Sequence, residues 1–327
     1  MENQTILKDF FLSGLSDLPV LQPPLFLFFL LIYLLTLIWN LLIIVLVVTD
    51  SHLHVPMYFF LGNLASIDLC TSSVTVPRML FDLHTKTKKI TIKSCITQVF
   101  FFMSFGMLEA FLLAVMSYDR YTAICQPLHY TQIMSWKVCV QLALSVLILS
   151  FIYSLVHTLY VFKLTFCGSD IIESFFCDLP QLFQISCSDT FINILLVYLL
   201  GGIFAGVSLI MTFLPYVSII KTVLKIQTKG KRSKVFSTCT SHLTVVFIYY
   251  GCGVFNYFRP NTSHHSTVDK VVSIFYTVIL PLLNPLIYSL RNQDLRTALQ
   301  DALRKVIPIS TKNSSKRNPL FLDTKNI

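Results

Sequence analysis

The stretch MSYDRYTAICQPLHY, residues 116–130, sets Asp119, Arg120 and Tyr121 directly after an apolar run, Ile96 to Tyr118. Charges at the edge of a membrane helix are costly unless they have work to do. Arginine is the informative member. Its planar guanidinium can hold a neighbouring carboxylate or be released to donate to a partner's backbone carbonyls. On either side lie further apolar runs near the roughly 20-residue length that crosses a bilayer as helix. The full set is about Pro24–Thr49, Met57–Phe81, Ile96–Tyr118, Val138–Phe162, Phe191–Ile220, Val235–Phe258 and Val271–Leu290. Each is apolar on nearly all faces, unlike the one-sided stripe of a soluble helix.

Composition agrees. The chain is 54% hydrophobic and 13% charged, with a mean hydropathy of +0.70. Soluble domains carry about 25% charged residues, so these charges are too few to coat a globule of this size. The expected fold is an all-α membrane protein, a seven-transmembrane helix bundle with an amphipathic eighth helix on the cytoplasmic face. It divides into an extracellular tail (1–23), a seven-helix transmembrane bundle (24–290), a membrane-surface helix (291–307) and a disordered cytoplasmic tail (308–327). In the surface helix Leu295, Ala298, Leu299, Ala302, Leu303 and Val306 recur at helical steps and form one apolar face.

An outer amino terminus places 16 of the 25 lysines and arginines on the cytoplasmic side, six of them in residues 221–234. The positive-inside bias favours that orientation. The net charge of +9 then lies beside the anionic inner leaflet and requires no nucleic-acid partner. No internal repeat of the kind that builds many transporters is visible. The chain also lacks a His-Glu-x-x-His pair, a phosphate-binding glycine loop and a Gly-x-Ser-x-Gly elbow, so no enzyme is expected. No cleavable signal peptide is evident. The sequon at Asn3 falls on the outer side, where glycosylation is expected.

Cys95, Cys167, Cys177 and Cys187 fall on the outer side, suggesting two disulfides among three pairings. The loop from Lys163 to Thr190 reads as the longest structureless segment. Asp68 and Glu109 lie near the middle of the second and third spans, where acids are presumptively functional. Two carboxylates there cannot both stay ionised without a cation or donors. In Asn284-Pro285-Leu286-Ile287-Tyr288 the proline kinks the last span and supplies a hinge.

Helical spacing groups Met103, Gly106 and Met107 on the third span and Tyr250, Gly253, Val254 and Tyr257 on the sixth. Phe204 and Val207 on the fifth and Thr277 on the seventh complete a cavity in the outer half, apolar and adaptable. Glu109 reads as too deep to be an amine counter-ion, so the expected ligand is a small, volatile, largely apolar molecule.

LHVPMYFFLGNLASIDLC (53–70), MSYDRYTAICQPLHY (116–130), KVFSTCTSHL (234–243) and PLLNPLIYSLRN (281–292) together resemble the olfactory receptor group of rhodopsin-like G-protein-coupled receptors. The resemblance runs from about Phe10 to Val306. It implies a Cys95–Cys177 disulfide, which leaves Cys167–Cys187. It also implies a sodium ion between Asp68 and Glu109, with Asn40, Asn284 and Tyr288 in one polar network and no other cofactor; hydrogen bonding without an ion is the alternative. The implied switch comprises Asp119, Arg120, Tyr121, Tyr216, Asn284, Pro285 and Tyr288. Arg120 would pair with Asp119 at rest and turn towards Tyr216 and a stimulatory, olfactory-type heterotrimeric G protein when active, raising cyclic AMP. The basic loop Lys221–Lys234 would dock that partner or simply fix topology. The implied location is the plasma membrane, in contact with its lipids. A non-odorant metabolite as ligand is the competing reading. Three positions depart from the group: Trp39, where glycine is usual, and Ser117 and Thr122, where alanine and valine are.

Overall fold

The computed structural model describes residues 9–306 except 17, 86, 168 and 258–265. Asn3 and the tail 308–327 lie outside the described residues. Seven described helices are long and apolar enough to cross a membrane.

Proline starts the first two. Helix α1 (Gln22–Thr49) opens on Pro23 and Pro24, and α2 (Pro56–His84) on Pro56, where the missing N–H bonds nothing in any case. Helix α3 (Ile92–Cys125) is capped by the Thr91 hydroxyl, which accepts from the Ser94 amide at 3.2 Å. It continues past the apolar run, so the Asp119-Arg120-Tyr121 triplet is helical. Helix α4 is Trp136–Val161 and α6 is Lys229–Tyr257. Two helices contain wider π turns. In α5 (Phe191–Leu196 and Gly202–Lys225) the turn is Val197–Gly201, and in α7 (Ser266–Ile274 and Leu280–Arg291) it is Phe275–Ile279.

Helix α3 is the central post. It packs against α2, α4 and α5, and 61% of its membrane window is buried against 22% for α1. The large apolar side chains left exposed on α1, α4 and α5, such as Phe28, Ile148 and Leu214, are what a lipid-facing surface requires. After Asn292, whose side chain accepts from the Asp294 and Leu295 amides, α8 (Gln293–Val306) begins. It turns Leu295 and Ala298 into the core beside Tyr58 and Tyr288.

The end of the bundle that carries the amino-terminal strand departs from the all-α expectation. Strand β1 (Asp9–Leu12) is the middle of a three-stranded sheet, antiparallel to β2 (Lys89–Thr91) and parallel to β3 (Ile171–Ile172). The loop 163–190 is therefore not structureless: it carries β3, a helix at Leu179–Gln184 and a bridge between Phe166 and Ser186. Disulfides join Cys95 to Cys177 and Cys167 to Cys187. Phe10, fully buried, packs edge-on against Phe166, so the amino-terminal strand and the loop share one small core.

Candidate functional site

A cavity of about 160 Å³ lies among α3, α4, α5, α6 and α7, with Thr71 of α2 also on its wall. An apolar cavity of about 150 Å³ holds a benzene-sized molecule. Of the residues expected on its wall, Met103, Gly106, Met107, Tyr250, Gly253, Val254 and Tyr257 line it. Phe204, Val207 and Thr277 do not. Phe204 packs edge-on against Phe111 and Tyr153, and Val207 is 51% exposed on the outer face of α5. Thr277 is fully buried and donates to the Ser273 carbonyl at 2.7 Å.

Neighbouring residues take their places, Ala205 on α5 and Tyr276 on α7. Both π turns face the cavity, through Val197 and Gly201 on α5 and Tyr276 on α7. Such turns break helical register by inserting a residue and recur at functional sites. Tyr153 of α4 and Leu179 of the outer loop also line the cavity. No local pattern in the sequence marks either one. Glu109 lines it too, so this carboxyl is within reach of a ligand rather than too deep.

The roof is tied down by Asp178, the residue after the α3-linked Cys177. Its carboxylate, fully buried, accepts from the Leu179 amide (2.8 Å), the Tyr257 hydroxyl (2.9 and 3.0 Å) and the Asn256 amide (3.1 Å). One short chain segment thus latches the end of α6 to the top of α3. Burial pushes the Asp178 carboxyl up to about 6, against the pull of those hydrogen bonds. The folded value exceeds the unfolded one. The stability this group contributes is therefore full below about pH 4 and is lost as pH rises through about 6. Between those limits the wild type should lose up to roughly 3 kcal/mol relative to Asp178→Asn, whose amide oxygen still accepts but does not titrate. Thermal melting of the purified pair across this range checks it; parallel curves would show that Asp178 does not titrate there.

In the middle of the bundle the Asn284 amide donates to both carboxylate oxygens of Asp68 (3.0 and 3.1 Å) and to Glu109 (3.3 Å). Asn40 stands apart from this group. Its amide donates to the carbonyls of Thr36 and Pro281, both at 2.9 Å, and so braces α1 against the turn before Pro285. The Tyr288 hydroxyl is buried without a hydrogen bond among the described residues.

At the end of the bundle opposite the three-stranded sheet the expected Asp119–Arg120 pair is not formed. Adjacent residues on a helix do not face each other. Asp119 accepts from the Tyr130 hydroxyl of the following loop at 2.8 Å. Arg120 points into the bundle at 5% exposure, with Nη1 3.8 Å from the Met57 sulfur and Nε unpartnered among the described residues. Tyr216 is held by His242, which the sequence reading quoted within a motif but assigned no role. The Leu113 carbonyl, 3.2 Å from His242 Nε2, can only accept, so Nε2 carries the proton. Nδ1 is then left to accept from the Tyr216 hydroxyl at 2.8 Å. The departure at Ser117 also has a role: its hydroxyl donates to the Thr212 carbonyl at 2.5 Å and ties α3 to α5.

Residues 29–306 match the family described as Olfactory receptor. The chain is 46% identical over 305 residues to "Olfactory receptor 5B12" of Homo sapiens, covering 93% of this chain and 97% of that one. It is 45% identical over 304 residues to "Olfactory receptor 5AR1" of Mus musculus, covering 93% and 98%. The fold is similar to that of squid rhodopsin, with a TM-score of 0.61 at 19% identity over 89% of this chain and 87% of that one. Apolar cavity, central polar pair and buried inner arginine thus sit on a rhodopsin-like seven-helix bundle, and the chain belongs to the olfactory receptor family.

Proposed function

We propose that this odorant-sensing receptor takes small, largely apolar molecules into the cavity above Glu109 and activates a stimulatory, olfactory-type G protein to raise cyclic AMP. The observation that carries the reading is physical continuity. The cavity floor is Glu109, Asn284 ties Glu109 to Asp68, and the next residue is Pro285, the helix breaker of α7. A ligand that displaces the floor therefore acts on the hinge. Movement of α7 repositions Tyr288 beside Arg120, and movement of α6 breaks the His242–Tyr216 link.

The central pair fits a hard monovalent cation in kind. It offers carboxylate oxygens from Asp68 and Glu109, and the Asn284 side-chain oxygen and Thr71 hydroxyl lack partners among the described residues. Sodium there would supply positive charge between two acids and favour the resting arrangement. Outer placement of the amino terminus is supported by the lysine and arginine balance, and by both disulfides lying at the end of the bundle that carries β1.

The test is cyclic AMP output from cells expressing the receptor, challenged with a volatile panel in sodium and in choline medium. Gly253→Leu is the site control. A Cβ at Gly253 would meet nothing within 4 Å, and the rest of a leucine side chain would extend from it into the cavity that Gly253 lines. Responses should fall at least about tenfold in potency in this variant at equal surface staining, the loss set by excluding a ligand that buries a few apolar groups. Basal output should be lower in sodium. Unchanged potency in Gly253→Leu places the ligand elsewhere, and equal basal output in the two media removes the cation.

A further inference from the structure

We propose that the Tyr153 hydroxyl is the cavity's open hydrogen-bond donor, and that the receptor selects odorants carrying a compact acceptor oxygen, such as a ketone or ester carbonyl, over hydrocarbons of the same shape. This rests on the cavity being the ligand site.

Tyr153 lines the cavity, is only 8% exposed, and its hydroxyl makes no hydrogen bond to a described residue. The ring is fixed between the His157 ring at 4.5 Å and Phe204, edge-on at 5.7 Å, so the hydroxyl is aimed rather than free to swing. Room beside it is left by Gly201 in the π turn of α5. A Cβ there would stand 3.2 Å from the hydroxyl oxygen, so a larger residue would crowd it.

Most other polar side chains on the wall already have partners. Tyr249 donates to the Gly106 carbonyl, Tyr250 to the Ser208 hydroxyl at 3.0 Å and Tyr257 to Asp178, while Glu109 accepts from Asn284. The Thr71 hydroxyl, also on the wall and without a partner among the described residues, has almost no exposed surface there, which leaves Tyr153 the more accessible of the two. A buried donor left unmade is expensive, and a site built around one discriminates against ligands that cannot accept.

The test compares Tyr153→Phe with wild type in the cyclic AMP assay. The probes are methyl ketones, each paired with the alkene in which methylene replaces the carbonyl oxygen. Wild type should answer the ketone at about 2- to 13-fold lower concentration than its alkene, the range of one neutral hydrogen bond. Tyr153→Phe keeps the ring and should erase that preference while leaving the alkene response in place. Gly201→Ala, which crowds the hydroxyl without removing it, should weaken the preference.

A preference that survives in Tyr153→Phe overturns the proposal. So does an equal loss for ketone and alkene, which would make Tyr153 a packing residue, or silence towards every acceptor-bearing probe. Gly253→Leu separates the two levels. If that variant still responds, the cavity reading falls and takes this one with it. If it is silent while Tyr153→Phe keeps the ketone preference, only the donor assignment falls.

Discussion

Arg120→Ala is expected to abolish ligand-driven cyclic AMP production while the receptor still reaches the cell surface. The guanidinium is almost fully buried, its Nε has no partner among the described residues, and its charge is felt by the hydroxyls of Tyr216, Tyr288 and Tyr58. A buried cation without a matched carboxylate does little for stability, so alanine should leave folding intact. What alanine removes is the charge-assisted donor for a partner's carbonyls, with a contribution of roughly 1.5–3 kcal/mol or about 10- to 150-fold in coupling. Maximal response should therefore drop at least about tenfold, with surface staining within roughly twofold of wild type. Preserved signalling at equal staining would falsify the assignment of Arg120 to the switch.

Cys177→Ser should act the other way, on the amount of receptor rather than on its coupling. The Cys95–Cys177 bond closes a separation of 82 residues. Chain entropy assigns such a closure about 4.5 kcal/mol, an upper value here because membrane helices already restrict the unfolded chain. The bond also sets the Cys177 amide 2.9 Å from the Gln98 side-chain oxygen and places Asp178 against α6 and Leu179 over the cavity. Without it the roof loses its anchor on α3. Surface staining should fall several-fold. Cys167→Ser, which opens a separation of only 20 residues within one loop, should cost less. Normal trafficking and response in Cys177→Ser would show that the loop is held by the sheet alone.

The helices were legible because membrane spans write themselves in composition: long, apolar all round, bounded by charge and proline. The outer sheet was not. Its strands have four, three and two residues, too short for alternation to stand above chance, and their partners are far apart in sequence. On α3 and α6 the cavity face could be read from regular helical spacing. On α5 it was offset by one position, to Ala205 instead of Phe204, with Ser208 rather than Val207 turned inward. The π turn at Val197–Gly201 accounts for this, since an extra residue in one turn shifts the inner face downstream by one. On α7 the offset runs the other way, from Thr277 to Tyr276, and both residues lie within the π turn Phe275–Ile279. Tyr153 and Asp178 reach the site only through packing between distant segments, and neither carries a periodic signal.

The place of β1 in the middle of its sheet has a consequence for biosynthesis. The strand emerges first from the ribosome, yet its two neighbours follow roughly 80 and 160 residues later. At about 5–20 residues per second, one of its edges stays open for roughly 4 to 16 s and the other for roughly 8 to 32 s. The outer face cannot close in the order in which it is made. Quality control therefore meets each new chain with its first segment still waiting for its last partner.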